Sequence, residues 1–127
     1  MSQEKLYEIA VTAATEYLAD QSDEAAGRYV FAYTITIQNT GTVAAQLISR
    51  HWIITDAQGV VQEVRGLGVV GAQPLLQPGE RFEYTSGASI ATPVGTMRGS
   101  YQMVAADGTR FEAPIPQFTL SVPRILH

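Results

Sequence analysis

Apolar and polar residues alternate along most of the chain. Tyr7, Ile9, Val11, Ala13, Thr15 and Tyr17 share one side of a period-two repeat, with Glu8, Ala10, Thr12, Ala14 and Glu16 on the other. That period sets one face on a core and one in water, so it predicts a half-buried strand. Asp20-Gln21-Ser22-Asp23-Glu24, closed by Gly27, predicts a solvated loop. Tyr29, Phe31, Tyr33, Ile35 and Ile37 against Thr34, Thr36 and Gln38 give the cleanest alternation, a second strand ending at Asn39-Thr40-Gly41. A third strand from Gln46 to Thr55 contains Trp52, and Asp56-Ala57-Gln58-Gly59 turns it into Val60–Val64. Pro78-Gly79 leads into Arg81–Ser86, where Phe82 and Tyr84 share a face. Pro93-Val94-Gly95 breaks the chain before Met97–Ala105, and Asp107-Gly108 is a hairpin turn into Phe111–Val122. Pro114 and Pro116 cannot donate to a ladder, which predicts an edge or a switch between sheets.

No segment sustains a 3.6-residue apolar period. Seven to eight short strands, roughly, with turn signals at near-regular spacing predict an all-β sandwich. Trp52 in the third strand, and Tyr101 two residues before the apolar Met103, match the strand-C tryptophan and corner tyrosine of an immunoglobulin-like sandwich. The expected core comprises Tyr7, Ile9, Tyr29, Phe31, Tyr33, Ile35, Trp52, Tyr101 and Met103. Trp52 is the ambiguous member, because Ile48 and Ile54 share its face while Leu47 and Ile53 make the opposite face apolar too.

Between the fourth strand and Pro78 lies Arg65-Gly66-Leu67-Gly68-Val69-Val70-Gly71-Ala72-Gln73-Pro74. It spells G-x-G-x-x-G. A dinucleotide fingerprint needs a helix opening at the third glycine. Pro74 follows that glycine and then Pro78-Gly79, so no helix N-terminus is there to receive a pyrophosphate. What remains is a glycine-rich loop, expected to run irregularly over 66–74 across one end of the sandwich. Arg65, Gly66, Leu67, Gly68, Val69, Val70, Gly71, Gln73 and Pro74 are the candidate binding residues. Leu67, Val69, Val70, Leu75 and Leu76 either cap the core or form an exposed patch for a partner protein. The alternative is a phosphate-containing small molecule. Arg65 flanks the glycines, strand pairing is expected to bring Arg50, Arg81 and Arg98 near it, and loop N–H groups can form an anion nest.

At 127 residues the chain reads as one domain, 1–127. Apolar content of 46% against 16% charged is globular rather than disordered. A net charge of −4 argues against general nucleic-acid or anionic-membrane binding. The lack of cysteine excludes disulfides and thiolate metal sites and favours the cytoplasm. No run is long enough to span a membrane, and Met1-Ser2-Gln3-Glu4-Lys5 leads into no signal-peptide core. Only His51 and His127 are histidines, and His51 has no histidine or carboxylate two residues away. Neither a metal site, a cofactor nor a nucleophile with an oriented base is therefore expected, and the chain reads as a non-enzyme. An edge formed by Phe111–Val122 or Lys5–Leu18 could add a partner's strand or pair with itself, giving a monomer or weak homodimer.

From the third strand onward the chain resembles the ApaG family. The matching words are Ser49-Arg50-His51-Trp52-Ile53-Ile54-Thr55-Asp56, Val64-Arg65-Gly66 through Gln73-Pro74, and Leu76-Gln77-Pro78-Gly79-Glu80. They continue in Phe82-Glu83-Tyr84-Thr85-Ser86-Gly87, Thr92-Pro93-Val94-Gly95 and Met97-Arg98-Gly99-Ser100-Tyr101-Gln102-Met103. The resemblance implies a fibronectin type III-like sandwich. It also implies protein binding, because ApaG-like domains occur in eukaryotic F-box proteins and in a polymerase-interacting protein. Bacterial members are linked genetically to cobalt resistance and magnesium efflux and neighbour a diadenosine tetraphosphate hydrolase gene. The family's loop usually reads Gly-Glu-Gly-Val-Val-Gly-Glu-Gln-Pro. Leu67 and Ala72 replace its two acids here, and Ala88 stands where relatives often carry cysteine.

Overall fold

Each alternating stretch becomes a strand in the computed structural model, which describes residues 5–123. In chain order the strands are β1 (Ile9–Tyr17), β2 (Tyr29–Asn39), β3 (Ala45–Asp56), β4 (Val61–Leu67), β5 (Leu75–Leu76), β6 (Arg81–Ile90), β7 (Val94–Ala105) and β8 (Arg110–Ser121). The acidic loop after β1 holds two single turns of 3-10 helix, Ala19–Gln21 and Glu24–Ala26. No helix among the described residues is long and apolar enough to cross a membrane. His127 falls outside the described residues.

The strands form two antiparallel sheets. One runs β1-β2-β6; the other has five strands, running β4-β3-β7-β8 with β5 on one end of β3. This is an immunoglobulin-like sandwich whose fourth strand lies beside β3, as an added strand does in variable-type domains. The inward faces meet in one core: Phe31, Ile35 and Ile37 from β2, Leu47 and Trp52 from β3, Met97 and Tyr101 from β7. Trp52 is only 2% exposed. Its ring meets Tyr33 at 5.3 Å, Phe118 at 5.8 Å and Tyr101 at 6.3 Å, all edge-on.

A bulge resolves the two-sided apolar pattern of β3. The pairing with β7 shifts between Leu47 and Ser49. One extra residue inverts which parity faces inward. Leu47 therefore points into the core on one side of the bulge and Trp52 and Ile54 on the other. A second shift lies between Met97 and Gly99, where Pro116 and Gln117 of β8 together stand against the single residue Arg98. Pro114 lies opposite Ser100 on that same edge strand, so both prolines occupy an edge.

Three expectations need correction. Tyr7 is not in the core: it precedes β1, packs on Phe111 at 5.6 Å, and donates its hydroxyl to the Asp107 carboxylate. Ile9 and Tyr29 only flank the core, because they sit near strand ends where the facing sheet gives partial cover. Tyr101 does not make a corner tyrosine's bond to its own backbone neighbourhood. Its hydroxyl instead meets that of Tyr84 at 2.6 Å, tying β7 to β6 across the core.

Candidate functional site

The glycine-rich segment is more ordered than its spelling suggests. Strand β4 continues three residues past Val64, pairing Arg65 with His51, Gly66 with Arg50 and Leu67 with Ser49. Gly66 and Leu67 are thus ladder residues, and the irregular part begins at Gly68. Its tip is a tight turn in which Val69 N–H donates to Ala72 O (2.8 Å) and Ala72 N–H to Val69 O (2.9 Å). The two central residues have positive φ, 44° at Val70 and 81° at Gly71. Such turns ordinarily carry Asn-Gly or Asp-Gly. A β-branched residue there is an outlier costing roughly 1–3 kcal/mol, held only where the surroundings over-determine it. The surroundings do so here. Gly68 N–H and Gln73 Nε2 both donate to Ile48 O (2.8 and 2.9 Å), and Leu47 N–H donates to Pro74 O at 3.0 Å.

Arg50 completes the clamp. Its Nη1 donates to Leu67 O at 3.0 Å and to Gly68 O at 2.8 Å. The guanidinium reaches them by lying across Gly66, where a Cβ would come within 2.8 Å of it. Glycine at 66 thus leaves room for the guanidinium, and its backbone angle is not of the positive-φ kind. Arg50 is thus turned onto loop carbonyls rather than outward beside Arg65. Arg98 shares the outer sheet face but pairs with Ile53 on β7, and Arg81 lies on the opposite sheet paired with Gln38. Strand pairing does not assemble the expected arginine cluster. The loop's N–H groups at Gly68, Val69 and Ala72 already have acceptors within the chain.

The apolar residues divide. Val69 is 0% exposed and Leu76 is buried, so these two cap the core. Leu67, Val70 and Leu75 are 75%, 61% and 55% exposed and face solvent. Beside them, Ser49, His51, Arg65, Leu67, Gln102 and Glu112 line a shallow groove of about 490 Å³ on the outer sheet face. Gln102 Nε2 donates to Ser100 Oγ (3.0 Å) and to Glu112 Oε2 (3.1 Å), and Ser49 Oγ donates to Gln102 Oε1 (2.7 Å). His51 Nε2 lies 3.5 Å from Glu63 Oε1, a partner the sequence spacing hides because it comes from the neighbouring strand. No cluster of three metal-ligating side chains occurs among the described residues.

Sequence reasoning missed Arg50 as the clamp and Gln73 as a brace. It also missed Asn39, whose buried side chain donates to Val43 O and Leu76 O (2.9 Å each) and accepts from Gly41 N–H (2.9 Å). Each makes at least one bond to a residue distant in sequence, and only the Gly66 opposite Arg50 left a trace.

The ApaG domain family matches residues 19–105. Protein ApaG of Thiobacillus denitrificans is 71% identical over 127 residues, the whole of both chains, and Protein ApaG of Nitrosospira multiformis is 72% identical over the same span. The crystal structure of a putative ApaA protein from Bordetella pertussis superposes with a TM-score of 0.93 at 57% identity, covering 97% of this chain and 100% of that one. The chain belongs to the ApaG domain family.

Proposed function

We propose that the domain is a non-catalytic protein-interaction module that offers the Val69–Ala72 turn, flanked by Leu67 and Leu75, to a partner. One observation carries this reading: three large apolar side chains face solvent from a turn and the strand ends beside it, which hydrogen bonds hold in place. Exposed apolar clusters of this kind favour contact surfaces. A loop fixed in advance also loses little entropy when bound. The chemistry favours a partner with an apolar pocket over an anion, because Arg50 and the inner amides are already engaged. The family's cobalt and magnesium links then act indirectly, through that partner, in the cytoplasm.

The test is capture from lysate by wild type, a Val70→Ser/Leu75→Ser variant and Arg65→Ala, with titration of ATP, diadenosine tetraphosphate and pyrophosphate alongside. The apolar variant should stay folded and lose its captured protein. If it captures as wild type does, or if Arg65→Ala alone weakens a measurable anion affinity, the interaction reading gives way to the phosphate one.

A further inference from the structure

Strand β4 is the outer strand of its sheet, and among the described residues it forms a strand ladder with β3 alone. Its charged residues, Glu63 and Arg65, are of opposite sign and so guard it only weakly against a second copy of itself. It has no proline, no lysine and no bulge, and its residues from Val61 to Arg65 are all exposed. The other edge of the sheet, β8, has two prolines and a bulge, and it lines a common cleft with β1. Hydrogen bonding identifies which β4 groups are free. Asp56 N–H donates to Val60 O and Gly68 N–H to Ile48 O, so even-numbered β4 residues face β3. The N–H and C=O groups of Val61, Glu63, Arg65 and Leu67 therefore point to the open edge, and their side chains share the outer face. Leu67 O also accepts from Arg50, and a carbonyl has a second lone pair.

We propose that this edge pairs with itself: two copies of the chain join β4 to β4, antiparallel, about a two-fold axis at Val64. In that register Glu63 stands opposite Arg65 of the second copy, and Arg65 opposite its Glu63. Val61 stands opposite Leu67 in the same reciprocal way. All four are open-edge residues, so each of these pairs exchanges backbone hydrogen bonds. Moving the axis to Glu63 sets two carboxylates face to face, and moving it to Arg65 sets two guanidinium groups face to face. A one-residue slip pairs open-edge groups with groups already bonded to β3. Charge thus favours this register over those centred on Glu63 and Arg65, hydrogen-bond parity excludes a one-residue slip, and the two-fold symmetry closes the pair as a dimer. The result is one sheet continuous across both copies. This goes beyond the partner reading above and does not depend on it.

Sedimentation velocity over a wide concentration range tests the idea. Wild type should dimerise reversibly. Glu63→Arg and Arg65→Glu should each weaken dimerisation at least about tenfold, since each replaces two attractive pairs by two repulsive ones. The double variant should recover it. Thermal melts check that these exposed substitutions leave the fold intact. The chain has no cysteine, so Val64→Cys gives an independent readout. It faces itself across the axis within disulfide reach and should cross-link on mild oxidation, whereas Val61→Cys should not. Val70→Ser should leave the dimer unchanged. A wild type that stays monomeric throughout overturns the proposal. So does a dimer indifferent to both charge reversals, or Val61→Cys linking as readily as Val64→Cys.

Discussion

At the scale of single residues, a few buried polar contacts carry much of the specificity. Arg50 satisfies two loop carbonyls with one nitrogen. Arg50→Ala should lower stability by about 1 kcal/mol in urea denaturation, chiefly the cost of leaving the partly buried Gly68 carbonyl without its donor. Gly66→Ala should displace the same guanidinium and loosen the loop more than the core. Tyr84 and Tyr101 act differently. Burial pushes the Tyr84 phenol from 10.0 up to about 12, and burial beside Tyr84 pushes Tyr101 up further. Both stay protonated in the folded chain at pH values where an unfolded chain ionises them. Their contribution is therefore complete below pH 10 and declines as the pH rises toward 12. Urea midpoints followed upward through that window should fall in wild type. They should fall less in a Tyr84→Phe/Tyr101→Phe variant. A wild-type midpoint that stays flat up to pH 12 would contradict this assignment.

At the scale of elements, the glycine hairpin does two jobs with adjacent valines. Val69 packs inward and Val70 outward, because Val69 is paired with Ala72 at the base of the tight turn whereas Val70 is one of its two central residues. Val69→Ser should cost about 2–3 kcal/mol, combining lost apolar burial with a buried hydroxyl. Val70→Asn should instead raise stability by about 1 kcal/mol, since asparagine adopts the positive φ that valine resists. The same substitution should reduce partner capture. Melting temperatures and a pull-down on the two variants separate the roles, and equal destabilisation by both would refute the division. The hairpin's shape was not legible in G-x-G-x-x-G, which names where glycines stand and not what hydrogen-bonds to them. The end of β4 was misjudged for the same reason: Gly66 reads as a breaker until Arg50 is seen lying across it.

For the whole molecule, Trp52 joins the two sheets' inner faces, and Trp52→Ala should cost roughly 3–5 kcal/mol by thermal or chemical denaturation. A loss below about 1 kcal/mol would mean that the core does not close around it. The sequence by itself determined that the chain is all β, where most strands run, and that Phe31, Tyr33, Ile35, Tyr101 and Met103 lie inside. Those are consequences of the pleat, which turns each side chain half a revolution from the last and so writes burial into local alternation. Only the tertiary structure decided which strands became edges and where the bulges at Ile48 in β3 and at Pro116-Gln117 in β8 reset the parity. It alone decided which loop valine went inward, and that Tyr84 meets Tyr101 while Arg50 covers Gly66. These depend on partners far apart along the chain, whose pairing is fixed by packing the two sheets together, and no local period records it.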